Sequence, residues 1–127
     1  MITRLLLLAA AGAVGALARY ALSSAVQRQA GGVFPLGTFV VNLLGCLLFG
    51  LLWGLAEQRH LLGPTARAVV LTGFLGAFTT FSSFAYENAQ LWRHGHLGLL
   101  LANVALQNVL GVALVLLGIH LTRAPGA

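Results

Sequence analysis

The sequence predicts an all-α membrane protein of four spanning helices in one transmembrane domain, residues 1–127. Two observations carry that prediction. Of 127 residues, 59% are hydrophobic and 7% charged, where soluble domains average roughly a quarter charged, and mean hydropathy is +0.94. The apolar residues also fall into runs of the ~20-residue length that a bilayer demands, separated by short turn and charge clusters. Little chain remains outside four such runs, so function is expected within the membrane or at its faces.

The first span is predicted over Arg4–Ser24. Arg4, the run "LLLLAAAGAVG" and the small residues "ALA" have the layout of a signal peptide. Three further hydrophobic runs follow, and an Ala-rich spanning helix has the same composition, so the segment is assigned to a retained helix. Gln27–Gly32 and Pro35 supply the first break, and the second span runs over Leu36–Glu57. It contains "GLLWG" at 50–54, a GxxxG pattern that marks close helix contact. It also holds the only cysteine, Cys46, which excludes an intrachain disulfide. Gln58–Pro64 form the second break, Thr65–Trp92 the third span, Arg93–His96 the third break and Leu97–Thr122 the fourth span.

Charge is sparse and evenly shared. All seven basic residues are Arg, and the acids are Glu57 and Glu87. With four spans, Arg4, Arg59, Arg67 and Arg123 fall on one membrane side, and Arg19, Arg28 and Arg93 on the other. Orientation follows Lys/Arg asymmetry. A four-to-three division is compatible with insertion both ways up, and hence with an antiparallel dimer. Basic residues at span ends suit anionic lipid head groups, and no basic cluster suits nucleic acid. The four histidines lie outside the spans or at their ends, and no carboxylate pair or nucleophile–base spacing appears. Metal chemistry and catalysis are not indicated.

Polar residues inside spans usually face a bundle interior or a wet path. The second span carries Thr38 and Asn42, one turn apart; the fourth carries Asn103 and Gln107, also one turn apart, beside Asn108. Each alone suits interhelical bonding; polar stripes on three of four spans point to a path. The third span carries "GFLGAFTTFSSF" at 73–84, and at 28 residues it exceeds the length a bilayer needs. Gly73 and Gly76 weaken the helix there, and the Thr and Ser hydroxyls can satisfy freed backbone groups. A break in mid-membrane is therefore expected. Phe78, Phe81 and Phe84 recur every three residues and are expected to share one face. Aromatic rings are electropositive at their edges, so rings with hydroxyl and amide donors would line a path for a small anion.

"GAVGALARY" at 12–20, "PLGTFVVNLLG" at 35–45 and "GFLGAFTTFSSF" at 73–84 together resemble the Fluc, or CrcB, family of fluoride channels across the whole chain. The resemblance implies a dual-topology antiparallel homodimer in the inner membrane that exports fluoride passively through two pores. It implies Phe81 and Phe84 as pore rings, Asn42 as the pore amide, and Thr80 and Ser82 in the polar lining. It also implies a structural Na⁺ at the dimer interface, held by backbone carbonyls of Gly76 and Thr79 from both subunits. Arg19 matches the family's arginine beside a vestibule, where it raises the local anion concentration. The fourth span departs from the family's Tyr and Ser track: Val104, Asn108 and Val112 stand in its place, with Asn108 still able to donate. Two rival classes are weighed. A small dual-topology multidrug exporter requires an acid in the first span, which has none. A non-transporting assembly subunit explains the glycines but not the polar stripes.

Overall fold

A computed structural model of the chain describes residues 1–58 and 62–123, and of Gln58 the backbone alone. Arg59, assigned above to one membrane side, His60 and residues 124–127 lie outside the described residues. The described chain contains four helical runs long and apolar enough to cross a membrane, Ile2–Ala30, Leu36–Glu57, Pro64–Arg93 and Leu97–Leu121.

Helix α1 covers Ile2–Ala30 and ends where Gly31 turns into the left-handed region at φ 61°. It outlasts the predicted span because Ala25–Ala30 contain neither Gly nor Pro; the glycine pair alone stops it. Gln27 then holds the turn that follows. Its Nε2 donates to the carbonyls of Gly32 (3.1 Å) and Phe34 (3.2 Å), and its Oε1 accepts from Gly37 N–H at 3.0 Å. Helix α2 is Leu36–Gln58.

The third span is regular only in parts. Helix α3, Pro64–Arg67, starts with proline at its N-terminus, where no N–H is needed. A π-helical stretch, Ala68–Leu75, follows, then the short helix α4, Gly76–Phe78. Thr79 and Thr80 are extended, at φ −83°, ψ 158° and φ −150°, ψ 113°. Helix α5, Phe81–Arg93, completes the span, and α6 is Leu97–Leu121. The surplus length of the third span is thus absorbed by an overwide turn and an extended pair. Gly73 lies in the π-helical stretch and Gly76 in α4; the departure from helix comes later, at the threonines.

Small residues let these helices approach closely, as they must in lipid, where burial of apolar surface supplies no drive. Helix α2 lies along α6. A Cβ on Gly118 would fall 2.6 Å from Leu51 N and 2.7 Å from the Leu47 carbonyl, and one on Gly50 would collide with the Val115 carbonyl. Gly54 faces Thr122. The GxxxG pattern therefore works inside one chain. Helix α1 packs on the π-helical stretch, with Gly15 against the Phe74 carbonyl. The apolar core is small: Val41, Leu71, Leu75 and Phe78. Much of the remaining buried space is polar, with Thr38, Asn88, Asn103 and Thr122 all buried.

Candidate functional site

The site grows from the extended pair at Thr79 and Thr80. In an uninterrupted α-helix the N–H of residue 80 would bond the carbonyl of residue 76, and that of residue 83 the carbonyl of residue 79. Neither bond forms. Thr80 N–H donates to Asn42 Oδ1 at 2.9 Å, and Ser83 N–H donates to the Thr80 hydroxyl at 3.2 Å, which caps α5. The carbonyls of Gly76 and Thr79 are left without their helical donors. Asn42 also returns an N–H to the Thr80 carbonyl at 3.1 Å, so one side-chain amide grips both polar groups of one peptide residue. Upstream, Thr79 stays tied to α4 through its N–H (3.0 Å) and hydroxyl (3.1 Å), both on the Leu75 carbonyl.

From Asn42 a run of side-chain amides crosses the bundle. Asn42 Nδ2 donates to Gln107 Oε1 (2.9 Å), Gln107 Nε2 to Asn103 Oδ1 (2.9 Å), Asn103 Nδ2 to Asn88 Oδ1 (3.1 Å), and Asn88 Nδ2 to the Phe84 carbonyl (2.8 Å). The face that α6 turns toward α2 and α5 is thus Asn103 and Gln107, one residue ahead of the register of Val104, Asn108 and Val112. Asn108 is exposed and bonds its own helix at the Val104 carbonyl, 2.7 Å.

A cavity of about 330 Å³ opens beside this run. It brings together Asn42, Gly76, Thr79, Thr80, Phe81, Phe84, Gln107 and Asn108. The rings of Phe81 and Phe84 stand 5.5 Å apart and tilted by 43°. Phe84 is buried, while Phe81 is 78% exposed. Phe78 does not share their face. It precedes the extended pair, which resets the helical phase, and it lies in the core stacked on Phe74 at 5.8 Å. Ser82 is exposed outside the cavity, 3.3 Å from the Thr80 hydroxyl.

Arg19 lies in a neighbouring space of about 250 Å³ with Ser23, Thr38, Thr80 and Ser83. Thr80 borders both cavities. The Arg19 Nε is buried and has no partner among the described residues. Glu87 accepts a hydrogen bond from the Thr38 hydroxyl at 2.5 Å, and its second oxygen is buried with no partner among the described residues. Sequence reasoning left this pair and Asn88 unassigned. Asn88 follows Phe84 by four residues, the spacing of one helix face, and that was the available signal. The Thr38–Glu87 contact joins two spans and leaves no trace in local spacing.

Fold and site define a small polytopic membrane protein whose polar centre lies among its spans rather than in a domain outside them. Residues 6–119 match the family model described as "CrcB-like protein, Camphor Resistance (CrcB)", and the chain belongs to that family. It is similar to the protein named fluoride-specific ion channel FluC of Nitratidesulfovibrio vulgaris (strain Miyazaki F), 52% identical over 94% of this chain and 97% of the relative. Proteins of the same name from Nitrosococcus oceani and Solidesulfovibrio magneticus are 51% and 50% identical. The first alignment covers 91% of this chain and 93% of the relative, the second 97% and 98%.

The grip of Asn42 on Thr80 has a measurable consequence. Asn42→Leu keeps the branched shape of the side chain but strips both Thr80 backbone groups and Gln107 Oε1 of their partner. At about 1–3 kcal/mol for each buried polar group left unpaired, the variant should lose at least ~3 kcal/mol of stability. Unfolding equilibria in detergent micelles read this directly, and an unchanged midpoint would show that the amide is not the clamp.

Proposed function

We propose that this protein is a fluoride channel of the plasma (inner) membrane, passing fluoride passively out of the cell through two pores of an antiparallel, dual-topology homodimer. The cavity bounded by Phe81, Phe84, Asn42 and Gln107 is the observation that carries the proposal. A small anion leaving water needs donors, and the cavity offers amide N–H groups and the electropositive edges of two rings. Among the described residues, no carboxylate lines it to repel the ion. The names of the half-identical relatives supply the ion.

The other assigned residues fit around that path. Arg19, with its unpartnered Nε among hydroxyls, concentrates anions in the vestibule next to Thr80. Ser82 and Asn108 contribute at the exposed rim. A second copy explains why Phe81 stands bare and why a Cβ at Gly76 would meet nothing nearer than 3.9 Å within one copy. The break in the third helix supplies the Na⁺ site. The Gly76 and Thr79 carbonyls, deprived of their helical donors, are the oxygen ligands that a hard cation accepts. Two from each copy would hold Na⁺ at the dimer axis, where a bound cation supplies a fixed positive charge between subunits.

Three measurements test these parts. In liposomes read with a fluoride electrode, Phe81→Ile and Phe84→Ile should each lower efflux roughly tenfold or more, the effect of about 1.4 kcal/mol on a barrier. Both variants should remain folded, since Phe81 is exposed and Phe84→Ile costs less than the about 3–5 kcal/mol of a buried Phe cut back to Ala. Normal efflux in both would return the rings to a packing role. Tagged C-termini should appear on both sides of the membrane, and two or three added Lys beside Arg4 should drive one orientation; single-sided insertion of the unmodified protein contradicts the antiparallel dimer. Removing Na⁺ should weaken the dimer, whereas undiminished association in Na⁺-free buffer rules the cation out and leaves the pores standing.

A further inference from the structure

A side-chain amide is nearly symmetric in shape, so its oxygen and nitrogen can exchange places by a flip unless the partners forbid it. Here both ends of the amide run are fixed by backbone groups that cannot flip. Thr80 N–H only donates, so Asn42 must present its oxygen to it, at 2.9 Å. The Phe84 carbonyl only accepts, so Asn88 must present its nitrogen, at 2.8 Å. Working inward from either end gives the same order through Gln107 and Asn103. All four amide oxygens have a donor. Both hydrogens of Asn42 are engaged, on the Thr80 carbonyl and on Gln107. Gln107, Asn103 and Asn88 each keep one N–H beyond the run, and of these three Gln107 alone lines the cavity with Phe81 and Phe84.

We propose that Asn103 and Asn88 are positioning residues that act through Gln107. They hold its amide so that the free valence at the cavity is an N–H and never a carbonyl. This inference rests on the channel proposed above. A glutamine gripped at its oxygen by Asn42 and at its nitrogen by Asn103 cannot turn its acceptor to the path. Gripped by Asn42 alone, it swings about that bond and the donor is no longer fixed. The amides, neutral and in principle indifferent to ion sign, thereby acquire a preference for anions.

A double-mutant cycle on fluoride and chloride flux in liposomes tests the coupling. Gln107→Met and Asn103→Leu should each reduce fluoride flux about tenfold and narrow fluoride–chloride discrimination, equivalent to about 1.4 kcal/mol on the barrier. The double variant should be no worse than Gln107→Met. Unchanged flux and discrimination in Asn103→Leu, or losses that multiply in the double variant, overturns the proposal. Should Asn103→Leu fail to assemble, Asn88→Leu/Asn103→Leu removes both partners of that bond together and takes its place. A second readout does not depend on fluoride. In protein labelled with ¹⁵N-glutamine, one Gln107 amide proton should be protected from exchange and its twin not, with the protection lost in Asn103→Leu. Equal exchange of both protons in the unsubstituted protein overturns the proposal. If unsubstituted protein passes no fluoride, the channel assignment falls and the proton pair still decides the amide polarity.

Discussion

The arrangement depends on the bond pair between Asn42 and Thr80. A backbone that leaves helical geometry inside a bilayer exposes donors and acceptors that lipid cannot satisfy. At Thr80 both are taken by one side chain from the neighbouring helix. The interruption can then persist as a defined structure. The same bonds hold Thr80 where it caps α5 and borders two cavities. Stabilising the interruption and shaping the polar centre are one event.

The clamp is joined to the fourth span because α2 and α6 are close. Gly50 and Gly118 let backbone meet backbone, and at that separation Asn42 and Gln107 bond directly at 2.9 Å. Helices spaced by larger side chains would leave the two amides apart, each an unpaired polar group at membrane depth. The glycines, unremarkable as packing residues, thus determine whether the polar residues form a run or a set of isolated liabilities. The run ends at the Phe84 carbonyl, so the helix carrying the buried Phe84 ring is tied to the same network that fixes the interruption.

The side chains lining the larger cavity differ in hydrogen-bond direction and not in charge. Arg19 borders not the larger cavity but the adjoining space, with Thr80 common to both. The polar side chains that line the larger cavity are amides, hydroxyls and the Cys46 thiol, all uncharged groups, beside the phenyl rings. Such groups acquire a sign preference from orientation alone, and orientation is what backbone anchors and close packing supply. The carbonyls of Gly76 and Thr79 show the complementary case: the diversion of Thr80 N–H and Ser83 N–H frees acceptors suited to a cation, beside donors suited to an anion.

Composition and run length alone determined that the chain crosses a bilayer and does so with four helices, because the cost of burying unpaired backbone in lipid permits few other solutions. Spacing also placed Asn103 with Gln107 and Thr38 with Asn42, since one helical turn is a local property. What the tertiary structure decided is everything that depends on two helices at once. The interruption falls at Thr79 and Thr80, not at the glycines, because Asn42 lies opposite those threonines. Phe78 leaves the face of Phe81 and Phe84 because two extended residues reset the helical phase between them. Glu87 meets Thr38, and Asn88 closes the amide run, through contacts 49 and 15 residues apart in sequence. Periodicity reports which residues share a face of one helix; which face meets which neighbour is set by packing, and that information exists only once the helices are assembled.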